Sequence, residues 1–282
     1  MPSLSKERIQ RSVERVQANF PFRNYVRKGE AKGLEFILRL LAKHLPVEAS
    51  RLLDIGCGPF DKTAVFADLG FECSAVDDLS DDWHRRGTNL ERILEFGRTM
   101  NINFHLQQFG DYAIPFTKSS FDIVSLFAVI EHLHESPAGI LSAAGYHLKN
   151  GGLLCVTMPN SVNLRKRLSV LRGKTNYPPV DQFFLNEGTW RGHVREYTLS
   201  ETEYIVKAAG FEILEATTYE EIAFNKLHGI TLRIYLLLCN IFPGLRSGIC
   251  VIARKPENWI PIQFDAEAYR KAVSASLPPG IV

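Results

Sequence analysis

Short apolar runs alternate with helical patterns along most of this chain, and that alternation limits the fold more than any other feature. The runs lie at 51–55 ("RLLDI"), 71–77 ("FECSAVD"), 103–109 ("NFHLQQF"), 121–127 ("FDIVSLF") and 153–158 ("LLCVTM"). The first is short and bounded by glycines, which reads as a buried strand rather than a helix, and the others are further strand candidates. Residues 6–18 and 30–45 have helical spacing, the second placing Leu34, Ile37, Leu38, Leu41 and Leu45 at intervals of three and four. Ser136 and Pro137 offer an N-cap and a first-turn proline to a helix that stops at "KNGG". Strands alternating with helices imply a parallel sheet covered on both faces.

The pattern loosens over 160–196, where bases, aromatics and prolines mix in a manner that suits a lid insertion better than core. It then resumes. Ser200 and Glu203 have capping-box spacing at the start of a helix that ends at Gly210, and "FEILEATTY" and "SGICVIARK" read as two late strands.

The turn after the first strand narrows the ligand. In "LLDIGCGPFDKT" (52–63), Lys62 and Thr63 follow only Gly56 and Gly58, so the spacing of a phosphate loop is missing. A dinucleotide fingerprint wants a third glycine where Asp61 stands, and a carboxylate there would face a pyrophosphate. What remains is a glycine turn for a nucleoside without phosphates, with Asp54 on hand for a cationic group.

Composition excludes several classes. With 45% hydrophobic and 23% charged residues over 282 positions, one large globular domain with additions is expected. A net charge of +2 supplies no overall field for nucleic acid or an anionic membrane, although bases cluster locally. Five cysteines without a C-x-x-C pair read as buried thiols in a reducing compartment. The charged first twenty residues lack the apolar core of a signal peptide, so a cytoplasmic location is expected. "IYLLLCNIF" (234–242) falls far short of the ~20 residues of a membrane span, and no stable membrane insertion is expected.

The order of these features resembles the class I S-adenosylmethionine-dependent methyltransferases, over residues 34–254. "LLDIGCG" is similar to that family's first motif and "AVDDLS" to its second. "FGDYAIPFTKSSFDIVSLFAVIEHL" resembles the third and fourth, and "LKNGGLLCVTMPN" the fifth. "HVREYTLSETEYIVKAAGF" resembles a segment of members that methylate small molecules or glycans. The resemblance implies an α/β fold: a Rossmann-like, doubly wound seven-stranded sheet, mostly parallel with the last strand antiparallel, carrying a lid insertion and N-terminal helices. The expected organisation is an N-terminal helical segment (1–33) that caps the acceptor, a methyltransferase domain (34–254) with the lid at 160–196, and a C-terminal tail (255–282).

The resemblance also implies S-adenosylmethionine as cofactor and a set of residues around it. Gly56 and Gly58 admit its methionine part, and Asp54 accepts from its ammonium directly or through water. Asp77, at the end of the second strand, takes both ribose hydroxyls, with Asp78 beside it as a cap. Phe127 lines the crevice at the end of the fourth strand. The adenine amino group falls to Asp111, Phe109 or Gly110, because Asp111 lies four residues before Pro115 where five is commoner in the family.

"AVIEHLHE" (128–135) follows the fourth strand and faces the reaction. Metal-using quinone and small-RNA methyltransferases carry a glutamate where Ala128 stands, which leaves Glu131 and His132, so no metal is expected. His132 reads either as a general base or as a hydrogen-bonded support of the loop. His193, leaving the lid, is the other base candidate or an exposed loop histidine. The two are expected on opposite sides of the methyl group. Methyl transfer to a hydroxyl is the expected chemistry, because a histidine base adds roughly 10²–10⁴-fold there. Carbon or nitrogen acceptors, or a catalytically silent cofactor-binding scaffold, are the alternatives. The "NPPY"-type motif of amino methylases is missing after the fourth strand, which argues against a nucleic-acid substrate.

A small-molecule or glycan acceptor, anionic or lipid-linked, is expected among Phe20, Phe22 and Tyr25 of the N-terminal segment and Tyr177, Phe183, Phe184 and Trp190 of the lid. Arg165, Lys166, Arg167, Arg172 and Lys174 either hold an anionic group or form a solvated helix face. The apolar helix at 230–242 packs on the sheet, pairs two subunits of a homodimer, or receives a lipid-linked acceptor.

Overall fold

The structure, a computed structural model, describes residues 4–45, 50–108, 112–263 and 265–276. The described strands form one seven-stranded sheet in the order β3-β2-β1-β4-β5-β7-β6. Two helices precede it, α1 (Lys6–Asn19) and α2 (Lys28–Ala42). The first half of the sheet is laid down by β1 (Arg51–Ile55), α3 (Thr63–Asp68), β2 (Glu72–Asp77), α4 (Asn89–Thr99) and β3 (Asn103–Leu106). The second half follows with β4 (Phe121–Phe127), α5 (Ala138–His147) and β5 (Leu148–Pro159). The segment read as a lid holds α6 (Leu164–Leu171) and α7 (Val180–Phe184). After it come α8 (Leu199–Ala208), β6 (Glu212–Tyr219), α9 (Ile222–Lys226), α10 (Gly229–Ile241), β7 (Gly248–Arg254) and α11 (Ala266–Ser276).

Strands β1 to β5 pair in parallel with one another, and β7 runs antiparallel to both β5 and β6. The expected mostly parallel sheet with an antiparallel last strand is therefore present. Strand β1 is buried on both faces, which is why its sequence reads as a continuous apolar run rather than an alternation. One core, with Leu38, Phe60 and Phe66, lies under α1 to α4; the other, with Leu126, Leu141 and Val206, lies under α5 and α8. The five cysteines are buried and free.

Strand order reverses between β1 and β4, so their carboxyl ends splay and leave a crevice at the rim. Helix α1 is held against α3 by Ser12, whose hydroxyl donates to the Val65 carbonyl at 3.2 Å, and by an Arg15–Asp68 ion pair.

Three local expectations need correction. The capping box opens α8 two residues earlier than expected: Thr198 accepts from the Glu201 N–H at 3.2 Å, and the Glu201 carboxylate accepts from the Thr198 N–H at 2.8 Å. "KNGG" lies inside β5 as an irregularity in its pairing with β4, not in a loop after the helix. Helix α10 does not pack on the sheet; Cys239 is its single buried residue.

Asp122 fastens the start of β1 to β4 and β5. One carboxylate oxygen accepts from the Ser50 and Arg51 N–H groups, each at 2.9 Å, and the other from Lys149 at 2.6 Å. These donors hold its carboxyl below the usual carboxylate range against the opposing effect of burial. Asp122→Ala should cost about 2 kcal/mol of stability in urea unfolding at neutral pH. The sign follows from the lowered folded value. The contribution is complete above the ordinary carboxylate pKa of about 3.9 and disappears as pH falls through the lower folded value, so wild type and variant should converge in acid.

Candidate functional site

The crevice, about 320 Å³, is walled by the turn after β1, the end of β2, the segment after β4 and a strap formed by residues 190–193. Gly56 and Gly58 have φ of +76° and +53°, a region that glycine enters without the steric penalty of a side chain. A Cβ at Gly56 would stand 2.6 Å from Val129, whereas one at Gly58 would meet nothing within 4 Å. The first glycine is needed for close packing and the second leaves open space beside the crevice.

Asp77 sits at the crevice end of β2. Its two oxygens accept from the Gly58 N–H at 2.8 Å and the Leu79 N–H at 2.7 Å, and a carboxylate retains lone pairs for further donors. Burial raises its pKa against those two bonds. Asp78 accepts from the Ser80 N–H at 3.0 Å and from Arg191 at 2.8 Å. Phe127 lines the wall at the end of β4. Asp61, the residue that argued against a pyrophosphate, also lines the crevice and pairs with Lys62 at 3.2 Å. Phe109, Gly110 and Asp111 lie outside the described residues.

Asp54 stands below the crevice rather than in its wall. It is 1% exposed, and its two oxygens accept from the hydroxyls of Thr63 at 2.6 Å and Ser125 at 2.7 Å. Burial pushes its carboxyl up to about 6 despite these donors. In this position it joins the start of α3 to the end of β4 under the glycine turn.

The segment after β4 and the strap meet at a buried polar cluster. The Glu131 carbonyl accepts from the Val194 N–H at 2.7 Å and the Arg195 N–H at 3.2 Å. His132 Nδ1 meets the Arg191 carbonyl at 2.8 Å, which fixes the proton on Nδ1 and leaves a lone pair on Nε2. His193 Nδ1 meets the Glu196 carboxylate at 2.7 Å, and burial, with His132 and Lys166 close by, lowers its pKa to about 4. The two imidazoles lie edge to face at 4.9 Å, so they stand together rather than on opposite sides.

Glu131 is fully buried and neither side-chain oxygen has a hydrogen-bond partner; burial raises its pKa to about 8. Lys166, reaching in from α6, forms an ion pair with Glu196, and its burial brings its pKa down to about 8. One ligand atom each from Glu131, His132 and His193 lies within 4.8 Å of the others. The two candidate ligands counted in the sequence thus become three.

The strap is latched from the other side by Arg191, which reaches Asp78 at 2.8 Å and Asp81 at 3.3 Å. Of the aromatics expected around an acceptor, Tyr25 and Trp190 line the crevice. Phe20 and Phe22 pack behind Tyr25 in a cluster with Trp83. Phe183 packs on Trp190 at 5.4 Å, whereas Tyr177 and Phe184 are exposed. Sequence reasoning missed Arg191, Glu196 and the inward turn of Lys166. The three-residue spacing of His193 and Glu196 was the one signal available for them.

Comparison with known proteins decides the family. A model of the methyltransferase domain matches residues 25–216. The chain belongs to that family. Its cofactor is S-adenosylmethionine. A ubiquinone biosynthesis O-methyltransferase of Nitrosococcus oceani is 28% identical over 130 residues, covering 44% of this chain and 52% of the relative. The chain spans about half the length of the curated relatives it matches. A SAM-dependent methyltransferase from Archaeoglobus fulgidus shares the fold with a TM-score of 0.53 and 17% identity, covering 79% of this chain and 93% of that one. So does phosphoethanolamine N-methyltransferase 2 of Haemonchus contortus, solved with S-adenosyl-L-methionine, at a TM-score of 0.52 and 18% identity; the match covers 91% of this chain and 58% of that one.

Two substitutions separate the wall of the methyltransferase crevice from its latch. Asp77→Ala should weaken S-adenosylmethionine roughly 10–100-fold in titration calorimetry through loss of charge-assisted bonds, with the protein still folded. Arg191→Ala should speed cofactor dissociation up to about fivefold in stopped-flow experiments, the scale of a partly exposed ion pair.

Proposed function

We propose that this methyltransferase transfers the methyl group to a hydroxyl of a small-molecule or glycan acceptor, with His132 as the general base. The reading is carried by one observation. His132 lines the crevice with its Nδ1–H committed to the Arg191 carbonyl, so Nε2 is the atom free to take a proton. The curated relative named above is a ubiquinone biosynthesis O-methyltransferase, which agrees with a hydroxyl acceptor.

S-adenosylmethionine supplies a methyl group already activated on a sulfonium. The protein's part is to align the acceptor in line with it, exclude water and remove the acceptor proton. Alignment alone contributes up to ~7–11 kcal/mol. In this proposal Gly56, Gly58 and Asp77 seat the cofactor, Phe127 lines its wall, and Asp78 holds the strap through Arg191. Tyr25 and Trp190 flank the acceptor. His193, whose lowered pKa makes it a weak base, orients against His132 and is itself held by Glu196.

A second reading rests on Glu131. A buried carboxylate without a partner is costly, and two imidazoles with their Nδ1 positions already engaged resemble ligands oriented by an outer shell. Glu131, His132 and His193 fit a divalent cation of the zinc, iron or manganese type. Such an ion, when bound, would lower the pKa of an acceptor hydroxyl.

His132→Gln should lower turnover about 10²–10⁴-fold while leaving cofactor affinity intact, with the loss shrinking at high pH as the acceptor ionises unaided. Dialysis against a chelator separates the two readings. Activity that survives it supports the base, and activity that is lost and returns with an added divalent ion supports the metal. A His132→Gln enzyme with a normal rate at neutral pH would overturn both.

A further inference from the structure

Two stretches of this chain carry bases and no acids. Residues 160–180 and 222–247 hold eight Lys or Arg side chains and not one Asp or Glu, in a protein whose totals of 33 and 31 otherwise nearly balance. The fold brings the two stretches together. Helices α6, α9 and α10 border a groove of about 290 Å³, lined by Leu164 and Leu168 among apolar residues and by Arg165, Arg172 and Lys226 among basic ones.

Helix α10 turns an apolar stripe outward beside this groove. Ile230, Ile234, Leu237 and Ile241 recur at helical spacing and are each between 54% and 66% exposed. The helix is not loosely placed. Its inner face carries Tyr235, whose hydroxyl donates to Glu220 at 2.5 Å and lies 3.3 Å from the Leu245 carbonyl, and Cys239, which is buried. Leu171, at the end of α6, is 81% exposed. An exposed apolar patch rimmed by charge marks a surface built to be covered.

We propose that α6 and α10 dock this protein on the surface of an anionic lipid bilayer. The stripe of α10 enters the boundary between head groups and acyl chains, and the surrounding arginines and lysines meet lipid phosphates. Charge selects this occupant over a second copy of the chain, because two faces that each expose Arg165, Arg167, Arg172, Lys174, Lys226 and Arg233, with Glu220 buried at the floor of the groove and Lys166 turned inward, repel when brought together. The apolar stripe selects it over nucleic acid, whose surface is a row of phosphates. Thirteen residues of α10 extend about 20 Å, against ~30 Å of hydrocarbon, so the helix lies in the interface instead of crossing it. Docking of this kind is independent of which acceptor is methylated.

Co-sedimentation with vesicles tests it. The full chain should sediment with mixed phosphatidylglycerol–phosphatidylcholine vesicles, weaken as salt is raised, and stay in solution with phosphatidylcholine alone. Arg165→Ala and Arg172→Ala should each weaken partitioning about fivefold. Leu237→Asp should abolish it. None of these residues lines the cofactor crevice, so S-adenosylmethionine affinity and the circular dichroism spectrum should be unchanged; a loss of fold in the Leu237 variant leaves the arginine pair to decide. Failure of the wild type to bind anionic vesicles, or binding undiminished in the arginine variants, overturns the proposal. So does a concentration-dependent dimer without lipid affinity, which would assign the face to a second copy.

Discussion

The turn after β1 is stitched to the end of β2 by three successive amides, and the shape of the crevice follows from that stitching. Gly56 and Cys57 donate to the Val76 carbonyl at 2.8 and 3.2 Å, and Gly58 donates to the Asp77 carboxylate at 2.8 Å. Presenting these N–H groups in sequence requires positive φ at both glycines. The close approach at Gly56 also fixes Val129, which stands against the place its side chain would fill. Glu131 and His132 follow Val129 by two and three residues. The glycine turn, Asp77 and His132 are therefore set relative to one another through a few backbone contacts at the point where the sheet changes direction.

What was legible in the sequence is what depends on neighbours in the chain. The strands at β1, β2 and β4, the glycine turn and the acid at its partner strand show as local patterns, and the structure contains each. Asp54 shows as an acid at a strand end, but strand alternation alone does not say which face it takes. The hydroxyls of Thr63 and Ser125 decide that, and they come from α3 and β4. His193 is 61 positions from His132, in a segment without periodicity, and the two meet because backbone bonds from Val194 and Arg195 to Glu131 draw the chain back. The capping box was misplaced by two because Thr198–Glu201 and Ser200–Glu203 satisfy the same spacing rule. Helix α10 has the composition of a buried helix, and composition does not distinguish a helix that packs on a sheet from one held outward by a hydroxyl bond to Glu220.

The polar cluster behind the strap concentrates charge where water does not reach. Glu131 is 0% exposed and Lys166 4%. Their pKa values, both moved to about 8 from opposite directions, show the same cause acting on an acid and a base: burial favours the neutral form of each. An unpartnered buried carboxyl persists only where the surroundings over-determine its place. Here its own carbonyl is pinned by two strap amides and its neighbour His132 by a third strap group, the Arg191 carbonyl.

Those contacts make enclosure of the cofactor and assembly of the acceptor side one event. Arg191 serves both ends: its guanidinium bonds Asp78 and Asp81 beyond Asp77, and its carbonyl sets the tautomer of His132. The latch to Asp78 and Asp81, the bond that orients His132 and the pairing of His193 with His132 thus all depend on this one segment. In the proposed function, the strap that walls the crevice is also what leaves Nε2 of His132 open to the acceptor. Helix α6 extends the coupling outward, since Lys166 on its inner side ends in the cluster while Arg165 and Leu168 border the outer groove. A shift of that short helix on a bilayer would reach the reacting groups through a single ion pair with Glu196.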